Sequence, residues 1–371
     1  MSPHSLSRRD FLRLGAATLA AAVIARSFPF REARAEEKIE VPELPWPYTK
    51  LDPEMTRKLG HLGYYAFECA GGAFWGITVQ LREKVGFPWT LLPIPDVETV
   101  KRAVLQKKHL HGLMQYGFGG AVGWGSLCGS LNGSLAVIQM VVGEKKAWVK
   151  LGRALMRIYE TTPLPTRKSN EYAVRGEFLI PKSKMKSSKW LPSNVSHSVL
   201  CHVSVGTWCE VSGYASGSKE RSERCARLTG DVAAFAVMLL NEYFDAYKES
   251  GDAEKAADEA VSRVEEILRR EYGGTTRLSA TTAACRTCHY KGKVYEDGQF
   301  TRGFMECEAC HRDLTPHAHF FLRQPVVQHG QLESQQRLAQ SFFTGGVVGA
   351  ALGIVLGAGS AAVINNHRKR E

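Results

Sequence analysis

The stretch Cys285-Arg-Thr-Cys-His-Tyr-Lys-Gly-Lys-Val-Tyr-Glu-Asp-Gly-Gln-Phe-Thr-Arg-Gly-Phe-Met-Glu-Cys-Glu-Ala-Cys-His311 admits two readings, and the choice decides the kind of fold it belongs to. Two CxxC pairs 18 residues apart have the spacing of a zinc ribbon. Cys285, Cys288, Cys307 and Cys310 would then be a tetrahedral ligand set. A histidine directly after each pair makes two CxxCH sites for covalent haem c instead. Zinc has no use for His289 or His311. Histidine fills only 12 of 371 positions, so its chance placement after both pairs is about a one-in-a-thousand event. Haem c uses all six residues: two thiols form thioethers to the vinyl groups, and the adjacent imidazole binds iron from one axial side. A disulfide within each pair would again leave the histidines unexplained. The stretch is read as two haem c sites. For the opposite axial positions the nearest donors are His317 and His319, then His329, with His109, His111, His197 and His202 further off. An iron held by two histidines has no open position, so it passes electrons and does not bind substrate.

Working outward, the N-terminus reads Ser7-Arg8-Arg9-Asp10-Phe11-Leu12-Arg13, then a mildly apolar run from Leu14 to Ala25, then Ala33-Arg34-Ala35. These are the three regions of a twin-arginine export signal, and residues 1–35 are set aside from fold reasoning. They hold six arginines and two acids, so removing them takes the formal charge from +11 to +7. At the other end, the 23 residues from Phe342 to Ile364 carry no charge and are followed by His367-Arg-Lys-Arg. That length can cross a bilayer core, and the basic tail 365–371 would stay on the cytoplasmic side. Gly345, Gly349, Gly353 and Gly357 would line one face of such a helix and let a second helix approach. The expectation is a periplasm-facing protein held by a single C-terminal anchor at 342–364, with 326–341 as a polar spacer.

The intervening chain is predicted to be mainly α: a helical domain over 36–275, then a dihaem segment over 276–325. Asp96 to Lys108 and Leu151 to Glu160 have helical patterning. Val232, Phe235, Leu239, Tyr243 and Tyr247 recur at three- and four-residue steps, as do Ala257, Val261, Val264 and Leu268. Gly251-Asp252 separates these last two helices and Gly273-Gly274 ends the second. Residues 161–200 read as a basic loop, with seven basic and two acidic residues between Arg167 and Lys189. No interleaving of basic and aromatic residues points to nucleic acid.

Five cysteines lie outside the haem stretch: Cys69, Cys128, Cys201, Cys209 and Cys225. An odd number cannot pair fully as disulfides. Twin-arginine cargo commonly folds around a cofactor before crossing, and haem c is added afterwards. An iron–sulfur cluster on four of the five thiolates would supply that earlier cofactor, with buried structural cysteines as the plainer alternative. Cys128 sits in Gly117-Phe-Gly-Gly-Ala-Val-Gly-Trp-Gly-Ser-Leu-Cys-Gly-Ser-Leu-Asn-Gly133, a stretch dense enough in glycine for close backbone approach.

Glu68-Cys69-Ala-Gly-Gly, this glycine-rich segment, Leu200-Cys201-His-Val-Ser-Val and Glu223-Arg-Cys225-Ala-Arg-Leu-Thr-Gly-Asp-Val together resemble the redox-active proteins named for a C…GCAxxG…C…C pattern. With two CxxCH sites behind them, the order is similar to that of the split-Soret cytochromes c, over roughly residues 50 to 320. The resemblance implies a homodimer, two closely stacked bis-histidine haems per subunit, an axial histidine lent by the partner, and an iron–sulfur site on Cys69, Cys128, Cys201 and Cys225. Three departures stand out, one being the C-terminal membrane tail, which is extra to the pattern. The residues after Cys128 are one longer than the named pattern, and Cys209 is a fifth thiol able to replace one of the four. The expected function is electron transfer in an anaerobic-type respiratory chain, with a redox protein or a membrane quinone-linked complex as partner. The competing readings are a haem enzyme reducing a small molecule and a zinc-stapled structural protein.

Overall fold

In the computed structural model the described residues are 40–311, apart from 109, 296, 297, 300 and 308. Residues 40–43 belong to a separate N-terminal unit, and the folded body begins at Leu44. Nine α-helices run through the described residues: α1 Pro53–Val85, α2 Val97–Leu105, α3 Gly129–Val141, α4 Lys145–Thr161, α5 Arg167–Arg175, α6 Cys201–Ser212, α7 Lys219–Ser250, α8 Ala253–Ile267 and α9 Ala280–His289. Strand-like pairing among them is limited to three isolated bridges, Leu127 with Leu200, Leu164 with Asn194 and Tyr290 with Thr301. The fold is mainly α, as the periodicity implied.

Local chemistry sets the helix ends. Asp52, Asp96, Thr166, Ser218, Asp252 and Ser279 each accept a backbone N–H from the first turn of the helix they precede. Gly176, Gly213, Gly251 and Gly273 end helices in the left-handed conformation. The break read at Gly251-Asp252 separates α7 from α8, and α8 runs through a π turn, Leu268–Tyr272, into Gly273. The basic stretch 161–200 differs from its reading as a loop. Thr166 caps α5 there, so part of its basic charge is carried on a helix.

The long α1 is two helices in one. Glu68 has φ 59° and ψ −169°, and the chain reverses at that residue. Residues 53–67 and 69–85 pack antiparallel: a Cβ on Gly63 would stand 2.8 Å from Gly72 Cα, one on Gly76 would stand 2.8 Å from Gly60 N, and Gln80 Nε2 donates to Thr56 Oγ1 at 2.8 Å. Straight helix would hold residues 60 and 76 about 24 Å apart. The second close approach is to α7, where a Cβ on Gly60 would stand 2.9 Å from Gly230 Cα. Helices this close leave no room for side chains between them, so the apolar surface goes to either side. One side is the main core, with Phe74, Ile77, Leu131, Leu155, Phe235, Leu239, Tyr243 and Val264. The other holds Leu62, Phe67, Trp75, Val100 and Phe178.

Between these layers lie buried ion pairs. Arg57 is paired with Asp231, which also accepts from Thr166 N at 2.8 Å and Ser169 Oγ at 2.6 Å. Arg227 Nε and His61 Nε2 both meet Glu223, at 3.1 and 3.0 Å.

The single-pass anchor, and with it the placement of this chain on the outer face of a membrane, is corrected. Among the described residues no helix is long and apolar enough to cross a membrane. The longest, α1 and α7, carry charged side chains along their length. The segment 342–364 lies outside the described residues, as do the leader 1–35, the spacer 326–341 and the tail 365–371. Nearly half of 342–364 is glycine or alanine, which leaves length and lack of charge as its main membrane signal.

Replacing Gly230 with alanine is expected to drive its methyl into the Arg57 carbonyl. The cost should be about 1–3 kcal/mol, read as a lower midpoint in denaturant with an unchanged m value.

Candidate metal centre and haem segment

Four thiols from four distant parts of the chain meet in one place. Cys69 begins the second arm of α1, turned there by the reversal at Glu68. Cys128 is the N-cap of α3, Cys201 is the first residue of α6, and Cys225 lies in the second turn of α7. Cys128 N bonds Val199 O at 2.9 Å and Cys201 N bonds Ser126 O at 2.7 Å, so residues 125–128 lie alongside 199–202. A side chain on Gly129 would run into the Cys69 sulfur, so glycine there lets α3 start against α1. Cys69, Tyr64 and Cys225 share a small contact cluster. Cys69 and Cys128 are buried, Cys201 and Cys225 half-buried.

These thiols act on one another electrostatically. Burial pushes the Cys69 thiol well above its ordinary range, and Cys128, Cys225 and Cys201 push it further. Cys201 is raised to about 12 by burial first and then by Cys128 and Cys225, against the pull of Arg224 and Arg221. Positive metal would offset that penalty and stabilise thiolates here. Cys128 and Cys201 also stand at helix N-termini, whose partial positive charge favours thiolate. The donor set therefore fits an iron–sulfur group. Cys209 is half-buried two turns along α6, about 12 Å of helix rise from Cys201.

The haem stretch packs on the other side of α4. Ser279 caps α9, whose last turns carry Cys285, Cys288 and His289. His289 Nδ1 meets Gly298 O at 2.9 Å. A carbonyl only accepts, so Nδ1 carries the proton and Nε2 the lone pair, the tautomer an iron ligand needs. Gly298 has φ 79°, and its missing side chain leaves room for the imidazole. Thr301 N bonds His289 O at 3.0 Å, and His311 N bonds Cys307 O at 2.9 Å, which closes the second CxxCH into a turn.

Glu306, next to Cys307, holds this segment down. It pairs with Arg157 and accepts from Ser279 N at 3.2 Å and from the hydroxyls of Ser279 and Thr282. Arg157 also meets Glu160 at 2.7 Å and Phe304 O at 2.5 Å, and Glu306 N donates to Glu160 Oε1 at 3.2 Å. Burial raises the Glu160 carboxyl to about 7, against Arg157. Burial would raise Glu306 too, but hydrogen bonds from Ser279 and Thr282 outweigh it and hold that carboxyl below its ordinary value. Alongside, Arg286 stacks on Tyr290 at 3.8 Å and on Phe304 at 4.4 Å, and Arg153 stacks on Phe304 at 4.0 Å.

Among the described residues no three His, Cys, Asp or Glu side chains gather closely enough to hold a single ion. His111, His197 and His202 are exposed, while His109, His317, His319 and His329 lie outside the described residues. Sequence reasoning passed over Arg157, Glu160, Glu306, Tyr159, Arg221 and Arg224. Glu306 lay inside the quoted stretch itself, and Arg224 inside the motif quoted around Cys225, with Arg221 one turn before that cysteine.

This arrangement, buried thiols on a helical scaffold with CxxCH turns docked beside them, defines a redox-active, cytochrome c-like protein. Residues 99–239 match the family described as "Putative redox-active protein (C_GCAxxG_C_C)"; the match takes in Cys128, Cys201, Cys209 and Cys225 but stops short of Cys69. The chain is 30% identical over 285 residues to the split-Soret cytochrome c of Desulfovibrio desulfuricans, covering 76% of this chain and 82% of that protein. A solved structure described as "A novel iron centre in the split-Soret cytochrome c from Desulfovibrio desulfuricans ATCC 27774" superposes with a TM-score of 0.50 at 29% identity, over 76% of this chain and 95% of that one. This chain belongs to the split-Soret cytochrome c family.

Glu160 gives the docked segment a pH dependence. Its folded pKa lies above the ordinary 4.5, so its contribution is full below that value and is lost as pH rises towards 7. Glu306, lowered, works the opposite way and contributes above 4.5. Proteolysis around residues 273–279 is expected to quicken between about pH 5 and 7, and Glu160→Gln should flatten that rise.

Proposed function

We propose that this protein is an electron-transfer cytochrome carrying two haems c and one iron–sulfur cluster. The haems would attach at Cys285 and Cys288 with His289 on iron, and at Cys307 and Cys310 with His311 on iron. Cys69, Cys128, Cys201 and Cys225 would hold the cluster. The observation that carries this reading is the meeting of four thiols from α1, α3, α6 and α7 in one pocket. Four thiolates brought to one place suit an iron–sulfur unit, which is held by four cysteine thiolates. Cys209, two turns along α6, is the thiol left out.

When bound, these groups take up and release single electrons. The chain's own part is to hold them. Gly129 admits Cys69, the 125–128 and 199–202 segments set Cys128 beside Cys201, and Gly298 O fixes the His289 tautomer. His317 and His319 remain the expected opposite axial ligands. The expected partners are a second copy of this chain, lending an axial histidine, and a redox protein.

Intact mass of chain matured in a haem-competent host should exceed the polypeptide by two haems, and denatured protein should keep its haem absorption. Cys69→Ser, Cys128→Ser, Cys201→Ser and Cys225→Ser should each lose most non-haem iron and sulfide while keeping both haems, and Cys209→Ser should lose neither. Unchanged iron and sulfide across those four variants would discard the cluster. A bare polypeptide mass would discard the haems.

A further inference from the structure

Buried arginines in this protein come with carboxylates. Arg57 has Asp231 and Glu54, Arg157 has Glu160 and Glu306, and Arg227 has Glu223. Arg224 does not. It is 2% exposed, and among the described residues no carboxylate stands within ion-pair distance of it. Its Nη2 donates to Ser204 Oγ at 2.9 Å, and its Nε has no hydrogen-bond partner. A buried guanidinium without a counter-charge is costly, because burial strips its hydration and nothing of opposite sign replaces it.

The groups around it are the thiols. Its charge acts on Cys225 first, then on Tyr159 and Cys128. Ser204, which accepts from Arg224 Nη2, also accepts from Tyr159 OH at 2.8 Å, and the Tyr159 hydroxyl lies beside the Cys128 sulfur. Arg221, one turn earlier on α7 and half-buried, acts on Cys225 and Cys201 in the same way. A neutral Cys225 thiol offers Arg224 a weak hydrogen-bond contact but no counter-charge. Thiolates around an iron–sulfur core supply one, because four thiolate charges exceed what the core cancels and leave the assembly anionic.

Resting on the cluster reading above, we infer that Arg224 is the buried counter-charge of an anionic iron–sulfur group, positioned by Ser204 and Tyr159 and assisted by Arg221. A positive charge held this close favours the reduced, more negative state of the group and raises its reduction potential. The same charge leaves the metal-free protein with an unpaired guanidinium in its interior. Arg224 is a positioning and tuning residue, not a ligand.

The test uses the full chain with haems attached, as wild type, Arg224→Met and Arg224→Lys. Non-haem iron and sulfide are assayed, the iron–sulfur potential is followed by paramagnetic resonance during a redox titration, and thermal unfolding is recorded before and after chelation of non-haem iron. Arg224→Met should lower the iron–sulfur potential and leave both haem potentials where they were, and Arg224→Lys should restore most of the shift. After chelation Arg224→Met should melt above wild type, because the unpaired charge is gone; with the cluster in place it should melt below. A merely structural arginine would lower stability in both states and leave the potential alone. An unshifted potential in loaded Arg224→Met overturns the inference, and so does a lower melting point of that variant after chelation. Wild type without non-haem iron and sulfide overturns the cluster reading, and the inference with it.

Discussion

Two long helices pressed together without side chains between them set the geometry of this protein. The arms of α1 meet at Gly60, Gly63, Gly72 and Gly76, and α7 joins them at Gly230. Such contact is open only to glycine, since any Cβ would meet backbone at less than van der Waals distance. Its consequence is chemical. The reversal at Glu68 that makes the contact also turns Cys69 towards Cys225 on α7. The close packing and the thiol pocket are one feature seen at two depths.

The remaining two thiols arrive by a different device. Cys128 and Cys201 each open a helix, and each is fixed by a backbone hydrogen bond to the segment that carries the other. Thiolates placed there would have helix N-termini behind them and the guanidiniums of Arg221 and Arg224 beside them. Burial alone opposes ionisation at Cys69 and Cys201. The pocket is therefore arranged for charge that the polypeptide does not itself provide.

The haem stretch is joined to this body through polar contacts more than through apolar ones. Glu306 brings together the cap of α9, Thr282 and Arg157, and Arg157 reaches both Glu160 and the backbone of Phe304. Tyr159 and Glu160 are neighbours on α4, and one faces Cys128 while the other faces Glu306. One turn of helix thus lies between the thiol pocket and the second CxxCH turn. A hydrogen-bonded carboxylate junction of this kind is sensitive to pH in a way that a hydrophobic seam is not.

Much could be read from residue order alone. Apolar residues at three- and four-residue steps announced α7 and α8, and Gly251 and Gly273 their ends, because each signal is local. The joining of four separated cysteine motifs into one family was legible as well. Other features were not. The reversal within α1 depends on glycines nine to sixteen residues apart touching one another, and no local period encodes that. Lack of charge over 342–364 suggested a membrane helix, but none of the described helices has that character. Arg224 and Glu306 drew no reading of their own, because nothing beside them in the chain marks them as buried. Covalent chemistry is written in short spacings that a chain carries whether or not it is folded. Which arginine is left without a carboxylate depends on helices distant in sequence burying their faces against one another, and only the tertiary structure decided it.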